Sequence, residues 1–197
     1  VKMLEKASSA DRDENENARY KYSLAAMNAA SVLGEIGPAA TDAYPALLKV
    51  FDAKESLSTP KRHRTGPSLS LRCFMAVPLV EVASAEQRKE LAKHFGEAVK
   101  SRNRVEVESI LEGLAALGPI AAPAIPAIVE RMRSEKRFGI DRDGCLTLAA
   151  IGPEAVPALI DHYKWSVQNK QSPTYVLDAF IAMGPKAEKA VSFLVDD

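Results

Sequence analysis

Cysteine, histidine and tryptophan are scarce in this chain, and their scarcity limits the chemistry it can carry. The 197 residues contain two cysteines, three histidines and one tryptophan. No Cys-x-x-Cys pair occurs and the histidines are scattered, so the sequence indicates neither a structural zinc site nor haem attachment. We expect no metal ion and no cofactor, and we expect Cys73 and Cys145 to be small, buried residues that form no disulfide.

An excess of charge of either sign is also missing. The chain has 26 basic and 26 acidic residues, which argues against a strongly cationic nucleic-acid binder or a membrane-surface protein. No apolar run reaches the ~20 residues that a transmembrane helix needs, and no segment resembles a signal peptide. Because the chain begins with Val1 and stops at "FLVDD" inside a predicted helix, we expect it to be a piece of a longer protein.

The chain does contain one motif in several copies: an apolar residue, Gly, Pro, any residue and Ala. A Pro-Ala pair usually follows it. The copies are "LGEIGPAATDAYPALLKVF", "LGPIAAPAIPAIVERM", "AIGPEAVPALIDHY" and "AMGPKAEKAVSFLV", with Gly37, Gly118, Gly152 and Gly184 at their centres. The last three glycines are 34 and 32 residues apart, whereas the first two are 81 apart. That gap is about twice a period of roughly 40 residues and implies a hidden copy, and such a period is typical of a solenoid.

Each copy predicts two antiparallel helices joined at its Gly-Pro pair. Apolar residues lie one, four and seven positions before each glycine, which is the spacing of one helix face. We therefore expect each glycine to end a helix in the αL conformation, and each proline to open the next one. A second apolar stripe follows in each copy: Leu47, Leu48 and Phe51; Ile128, Val129 and Met132; Leu159, Ile160 and Tyr163; Leu194 and Val195.

The prolines differ in spacing between copies. The second proline follows the glycine by eight residues in the first two visible copies, which contain "PAATDAY" and "PIAAPAI", but by five after Gly152. The difference is about one helical turn, so we interpret these segments as an added turn that the Gly152 copy lacks. In the hidden copy, Val77-Pro78 takes the place of Gly-Pro, and Ser84 with Gln87 predicts a capping box for its second helix.

The segments "AASVLGEIGPAATDAYPALL" and "GLAALGPIAAPAIPAIV" resemble HEAT repeats, of the HEAT-like type found in phycobilin lyases. The resemblance implies an all-α fold, a right-handed α-solenoid of about five antiparallel helix pairs whose second helices line the concave face. A single HEAT-repeat domain then covers 1–197, with residues 1–16 as the tail of a preceding helix plus an acidic loop, and 56–66 as a basic loop. The approximate repeats are 17–55, 67–101, 103–137, 140–169 and 172–197.

Polar positions beside the second-helix stripes are the candidate groove lining. They are Lys49, Asp52, Glu130, Arg133, Asp161 and Lys164. Their alternating signs suit a protein or peptide partner better than a polyanion. Trp165 stands next to them, either packing at the helix end or anchoring a partner.

A second candidate is the cluster Lys61, Arg62 and Arg64 in the basic loop, which is either a phosphate contact or simply solvated. A contact there would favour nucleic acid, a partner that the balanced overall charge does not favour.

No catalytic constellation occurs, so we expect a non-catalytic protein-interaction scaffold. The resemblance keeps two alternatives open. One is a HEAT-type nucleic-acid binder or base-repair glycosylase-like protein, since HEAT-like DNA glycosylases also use an Asp and aromatic residues. The other is a lyase-like accessory protein acting on a chromophore-bearing or modified protein, which rests on fold analogy alone.

Overall fold

All regular elements in the described part of the chain are helices. The computed structural model describes residues 16–53, 71–134 and 140–196. Within these ranges the all-α prediction is confirmed. The chain divides into two compact units, Val1–Gln87 and Arg88–Asp197, and the right-handed stacking of five pairs in one domain stays a prediction.

In the first unit the first helix ends at Ile36, and the chain reverses its direction from Gly37 onward. Its elements are α1 (Glu16–Ile36), a 3-10 helix (Gly37–Ala43), α2 (Tyr44–Asp52), a 3-10 helix (Leu71–Phe74), α3 (Ala76–Val82) and the start of α4 (Ala85–Ala98). Both α1 and the Gly37 3-10 helix pack on α3, and the Thr41 hydroxyl donates to the Val82 carbonyl oxygen over 2.5 Å. Leu47, Phe51 and Leu79 form the centre of its core.

The second unit repeats the same hairpin. Beyond the rest of α4, its elements are α5 (Arg104–Leu117), a 3-10 helix (Gly118–Ala124), α6 (Ile125–Ser134), α7 (Ile140–Ile151), a 3-10 helix (Pro153–Ala155), α8 (Val156–Gln168), α9 (Thr174–Met183), a 3-10 helix (Gly184–Ala190) and α10 (Val191–Asp196). The first helices of the pairs lie in a row, because α5 packs on α7 and α7 on α9. Leu114, Leu148 and Phe180, from one predicted column, are buried in this row.

The four glycines break the chain as predicted, but Gly118, Gly152 and Gly184 do so outside the αL conformation. All four have positive φ, between 55° and 106°. However, ψ is −133° at Gly118, −153° at Gly152 and −130° at Gly184, whereas αL needs ψ near ~47°. The αL prediction is therefore wrong for these three glycines. The reason is the following proline, whose ring disfavours a helical ψ in the residue before it.

The added turn is confirmed as a 3-10 helix of variable length. It has seven residues after Leu117 but three after Gly152. The same seven-residue form follows Ile36 and Met183. The second proline then falls in the first turn of α2 and of α8, where its missing N–H is tolerated.

The hidden copy is helical, but its break lies later than predicted. Val77 and Pro78 are inside α3, and the chain leaves the helix at Ala83, where ψ is 139°. Pro78 is accommodated because it sits in the first turn of α3. The capping box is confirmed: Ser84 N–H donates to Gln87 Oε1 over 2.8 Å, and Gln87 N–H donates to Ser84 Oγ over 3.3 Å.

The two cysteines have different environments, and neither is in a disulfide bond. Cys145 is buried as expected, and burial raises the pKa of its thiol, with the Asp141 and Asp178 carboxylates adding to the rise. Cys73 is only half-buried, in the 3-10 helix before α3. The prediction that Cys73 is buried is therefore wrong, because it assumed a first helix that continues to a break at Val77.

Within the described ranges, one helical run, Arg104–Ser134, is long and apolar enough to cross a membrane by length and composition alone. The run is not one straight helix. It comprises α5, a 3-10 helix and α6, with a glycine of φ 58° between the first two. Neither α5, with 14 residues, nor α6, with 10, reaches the ~20 residues that a spanning helix needs.

The thiols provide a test of this packing. In the native protein we expect an alkylating reagent to modify Cys73 readily and Cys145 only after unfolding, because a buried thiol with a raised pKa is a poor nucleophile. The measurement is labelling with iodoacetamide, followed by mass spectrometry, with and without denaturant. Cys73→Ser isolates the response of Cys145, and native labelling of that variant at the rate of a free thiol would contradict the packing.

Gly184 provides a test of the backbone break. An added Cβ at Gly184 meets nothing within 4 Å, so any loss of stability on Gly184→Ala comes from backbone conformation. We expect this substitution to lower the free energy of unfolding by about 1–3 kcal/mol, measured by urea denaturation. Ser192→Ala, in the helix of the same pair, is the control and should change it by less than about 0.5 kcal/mol. Equal midpoints for the two variants would refute a strained glycine.

Candidate interaction surface

The predicted contact residues fall into three groups in the structure. Lys49 and Asp52 lie one turn apart on α2, in the first unit, and both are exposed. Glu130 and Arg133 lie on α6, and Asp161, Lys164 and Trp165 lie on α8, in the second unit. The basic cluster Lys61, Arg62 and Arg64 lies outside the described residues.

Arg133 and Asp161 join the two neighbouring second helices. Arg133 Nη2 lies 2.7 Å from Asp161 Oδ2. The arginine side chain is largely covered, whereas the aspartate is mostly exposed. An ion pair with one exposed partner contributes little to stability, about 0–1 kcal/mol. Its main effect is therefore to orient the two groups.

Trp165, one turn after Asp161 on α8, also contacts Arg133. The Arg133 guanidinium carbon lies 5.6 Å from the centroid of the indole ring, which is within the range of a cation–π interaction. The His162 ring stacks on the same indole, with centroids 5.6 Å apart and planes 14° apart. Trp165 thus packs on its neighbours and is half-buried. We call Arg133, Asp161 and Trp165 the polar cluster.

His162 supports the polar cluster from the interior. Its side chain is buried, and Nε2 lies 3.1 Å from Asp141 Oδ1 on α7. Nδ1 is buried without a hydrogen-bond partner among the described residues. The described residues hold no group of three His, Cys, Asp or Glu side chains that could bind a metal ion. The ring therefore acts as a packing surface between α7 and Trp165.

Sequence reasoning treated His162 as one of three scattered histidines and missed this role. A signal was present in the aligned second helices, where His162 falls in the same column as Val50 and Arg131. All three residues are buried. A polar residue in a buried column is expected to be held in place by a hydrogen bond, because burying a polar group without one is unfavourable.

Lys164 does not join the polar cluster. Its ammonium nitrogen lies 5.2 Å from the centroid of the Phe193 ring on α10, and Tyr163 meets the same ring edge-on at 5.2 Å. Glu130 is exposed on α6. The structure therefore brings together three of the seven predicted contact residues, Arg133, Asp161 and Trp165.

Comparison of this chain with protein-family models, with curated proteins and with solved structures gives no match.

The supporting role of His162 is testable through stability. We expect His162→Ala to lower the free energy of unfolding by about 2–5 kcal/mol, as for other large-to-small changes in a core. Gln168→Ala, at an exposed position of the same helix, should change it by less than about 0.5 kcal/mol. The measurement is urea denaturation followed by circular dichroism and by the fluorescence of Trp165, the sole tryptophan. A His162→Ala midpoint equal to that of Gln168→Ala would rule out the supporting role.

Proposed function

We propose that this chain is a non-catalytic interaction module of the HEAT-like class that binds a protein or peptide through the exposed face of its second helices. The observation that carries the proposal is the polar cluster, in which Arg133 and Asp161 pair across α6 and α8 beside the half-buried Trp165. Aromatic and arginine side chains are the residue types most often found at binding hot spots.

The polar cluster favours binding because its side chains are ordered before a partner arrives. Arg133 contacts both Asp161 and Trp165, and His162 holds the other ring contact of Trp165. Ordering long side chains is one of the free-energy costs of association, so a preformed surface binds more tightly than a mobile one.

The charges favour a partner that carries a basic side chain. Asp161 is mostly exposed although Arg133 occupies one of its oxygens, and Glu130 is exposed on the neighbouring helix. A lysine or arginine of the partner can pair with Asp161, while an apolar side chain contacts the indole of Trp165. Such complementarity contributes mainly to specificity and to the rate of association.

A catalytic role has less support, because Cys145 and His162, two residue types common in catalysis, are both buried. The buried thiol of Cys145 has a raised pKa, which makes it a poor nucleophile. His162 is enclosed between Asp141 and Trp165 and is not presented to a substrate.

The proposal predicts that changing the polar cluster abolishes partner capture without unfolding the chain. We would immobilise the 197-residue chain and quantify proteins captured from the source cells by mass spectrometry. Asp161→Lys and Trp165→Ala should each reduce recovery of the partner at least about tenfold, equivalent to 1.4 kcal/mol. Glu154→Lys makes the same charge change at an exposed site of the same helical pair and should leave recovery unchanged.

Two outcomes would contradict the proposal. One is equal recovery with Asp161→Lys, Trp165→Ala and the unaltered chain. The other is tight, salt-dependent binding of fluorescent DNA or RNA oligonucleotides that is lost on changing Lys61, Arg62 and Arg64 to Glu, which would establish the nucleic-acid alternative.

A further inference from the structure

An open groove lies between α1 and α3 in the first unit. The two helices approach each other closely at Gly34, where an added Cβ would lie 3.2 Å from the Cα of Pro78. The groove has a volume of about 550 Å³, which is in the range of sites that enclose a ligand. Half-buried apolar side chains form its walls: Met27, Phe74, Val77 and Pro78. We call it the α1–α3 groove.

The α1–α3 groove lies on a side of α1 that a neighbouring helical pair does not cover. Ser31 and Glu35, which line the groove, stand six and two residues before Gly37. The same positions on α7 are Leu146 and Ala150, and both are exposed although α7 packs on both α5 and α9. A first helix with two neighbours in place therefore still leaves this side in solvent.

Two exposed carboxylates stand together at one end of the α1–α3 groove. Glu35 lies in the last turn of α1 and Glu81 in the last turn of α3, and both line the groove. The two helix ends are adjacent, because a Cβ on Gly37 would lie 4.0 Å from the carbonyl oxygen of Glu81. Within the described ranges neither carboxylate takes part in an ion pair, and no basic residue occurs in the last turn of either helix.

This placement of charge is unfavourable for the fold by itself. The C-terminal end of a helix is the negative end of its dipole, where basic side chains are stabilising and acidic ones are not. Glu35 and Glu81 each add a negative charge at such an end. Together they create a negative potential at the mouth of the groove that a cationic group of a ligand can neutralise.

Apolar walls and a negative mouth together favour one class of ligand. A nucleic acid or another polyanion would be repelled by the carboxylates. A metal ion has little support, because the described residues hold no group of three His, Cys, Asp or Glu side chains. A protein segment fits both features, since an apolar side chain can enter between Met27 and Phe74 while a neighbouring basic side chain pairs with Glu35 or Glu81. An apolar centre with a polar rim is the usual arrangement of a protein interface.

We propose that the α1–α3 groove binds a segment of a partner protein in which a bulky apolar residue stands next to a lysine or arginine. The groove is a second interaction surface, because it lies on first helices of the first unit and shares no residue with the polar cluster. The proposal does not depend on the polar cluster, so either surface can bind if the other does not.

The test selects peptides from a random library displayed on phage, using immobilised Asp161→Lys chain as the bait. That substitution removes the acceptor for basic side chains in the polar cluster, so the selection reports on other surfaces. We expect the recovered peptides to combine a bulky apolar residue with an adjacent lysine or arginine. A fluorescent synthetic copy of such a peptide should bind the unaltered chain, as measured by fluorescence anisotropy. Glu35→Gln combined with Glu81→Gln should raise its Kd at least about tenfold.

Glu112→Gln combined with Glu154→Gln is the matched control, because it makes the same change of net charge at two exposed positions of the second unit. This control should leave the Kd unchanged. The groove substitutions should not lower the midpoint of urea denaturation, because they remove negative charge from the negative ends of two helices. A lower midpoint together with weaker binding would assign Glu35 and Glu81 a structural role instead.

Three further outcomes would overturn the proposal. Recovery of no binding peptide would show that the groove is not open to a partner segment. Equal affinity of the selected peptides for the groove variant and the control variant would place their binding elsewhere. A dimer of the unaltered chain that is lost on the same two groove substitutions, as measured by analytical ultracentrifugation, would make a second copy the occupant.

Discussion

A glycine followed by proline determines where the first helix of each visible copy ends, and the packing depends on this junction. Positive φ is open to glycine at little cost and strained for other residues, and all four junction glycines adopt it. The proline then keeps the glycine from a helical ψ, so the chain reverses instead of continuing as a helix. Only after this reversal can Leu114 and Ile128, which lie on either side of Gly118, be buried in a shared core.

The 3-10 helices before α6 and α8 differ in length, yet both second helices bury their apolar stripe. The 3-10 helix that begins at Gly118 has seven residues, and the one before α8 has three. Removing about one helical turn keeps the apolar stripe on the same side, and Ile128 and Leu159 are both buried. The residues beside the stripe also stay aligned, so Arg133 of α6 can reach Asp161 of α8.

Features that depend on local sequence were predictable, and features that depend on how helices are rotated against each other were not. The breaks at the four glycines, the missing turn before α8 and the capping box at Ser84 each follow from a few neighbouring residues. Val77-Pro78 misled the prediction because a proline in the first turn of a helix looks, in sequence, like a proline after a break. The contact of Trp165 with Arg133 joins two helices, and the spacing of apolar residues along one helix does not show how that helix is rotated against its neighbour. The buried column shared by Val50, Arg131 and His162 was the one sequence signal for that site.

The polar cluster joins the second helices of neighbouring pairs, so its geometry depends on the packing beneath it. Arg133 on α6 reaches Asp161 on α8, and His162, buried beside Asp141, stacks on the indole of Trp165. An exposed ion pair such as Arg133–Asp161 adds at most about 1 kcal/mol to the stability of the fold, so the packed helices hold the cluster in place and not the reverse. Because its side chains are already in contact with each other, a partner that binds there has fewer of them to order.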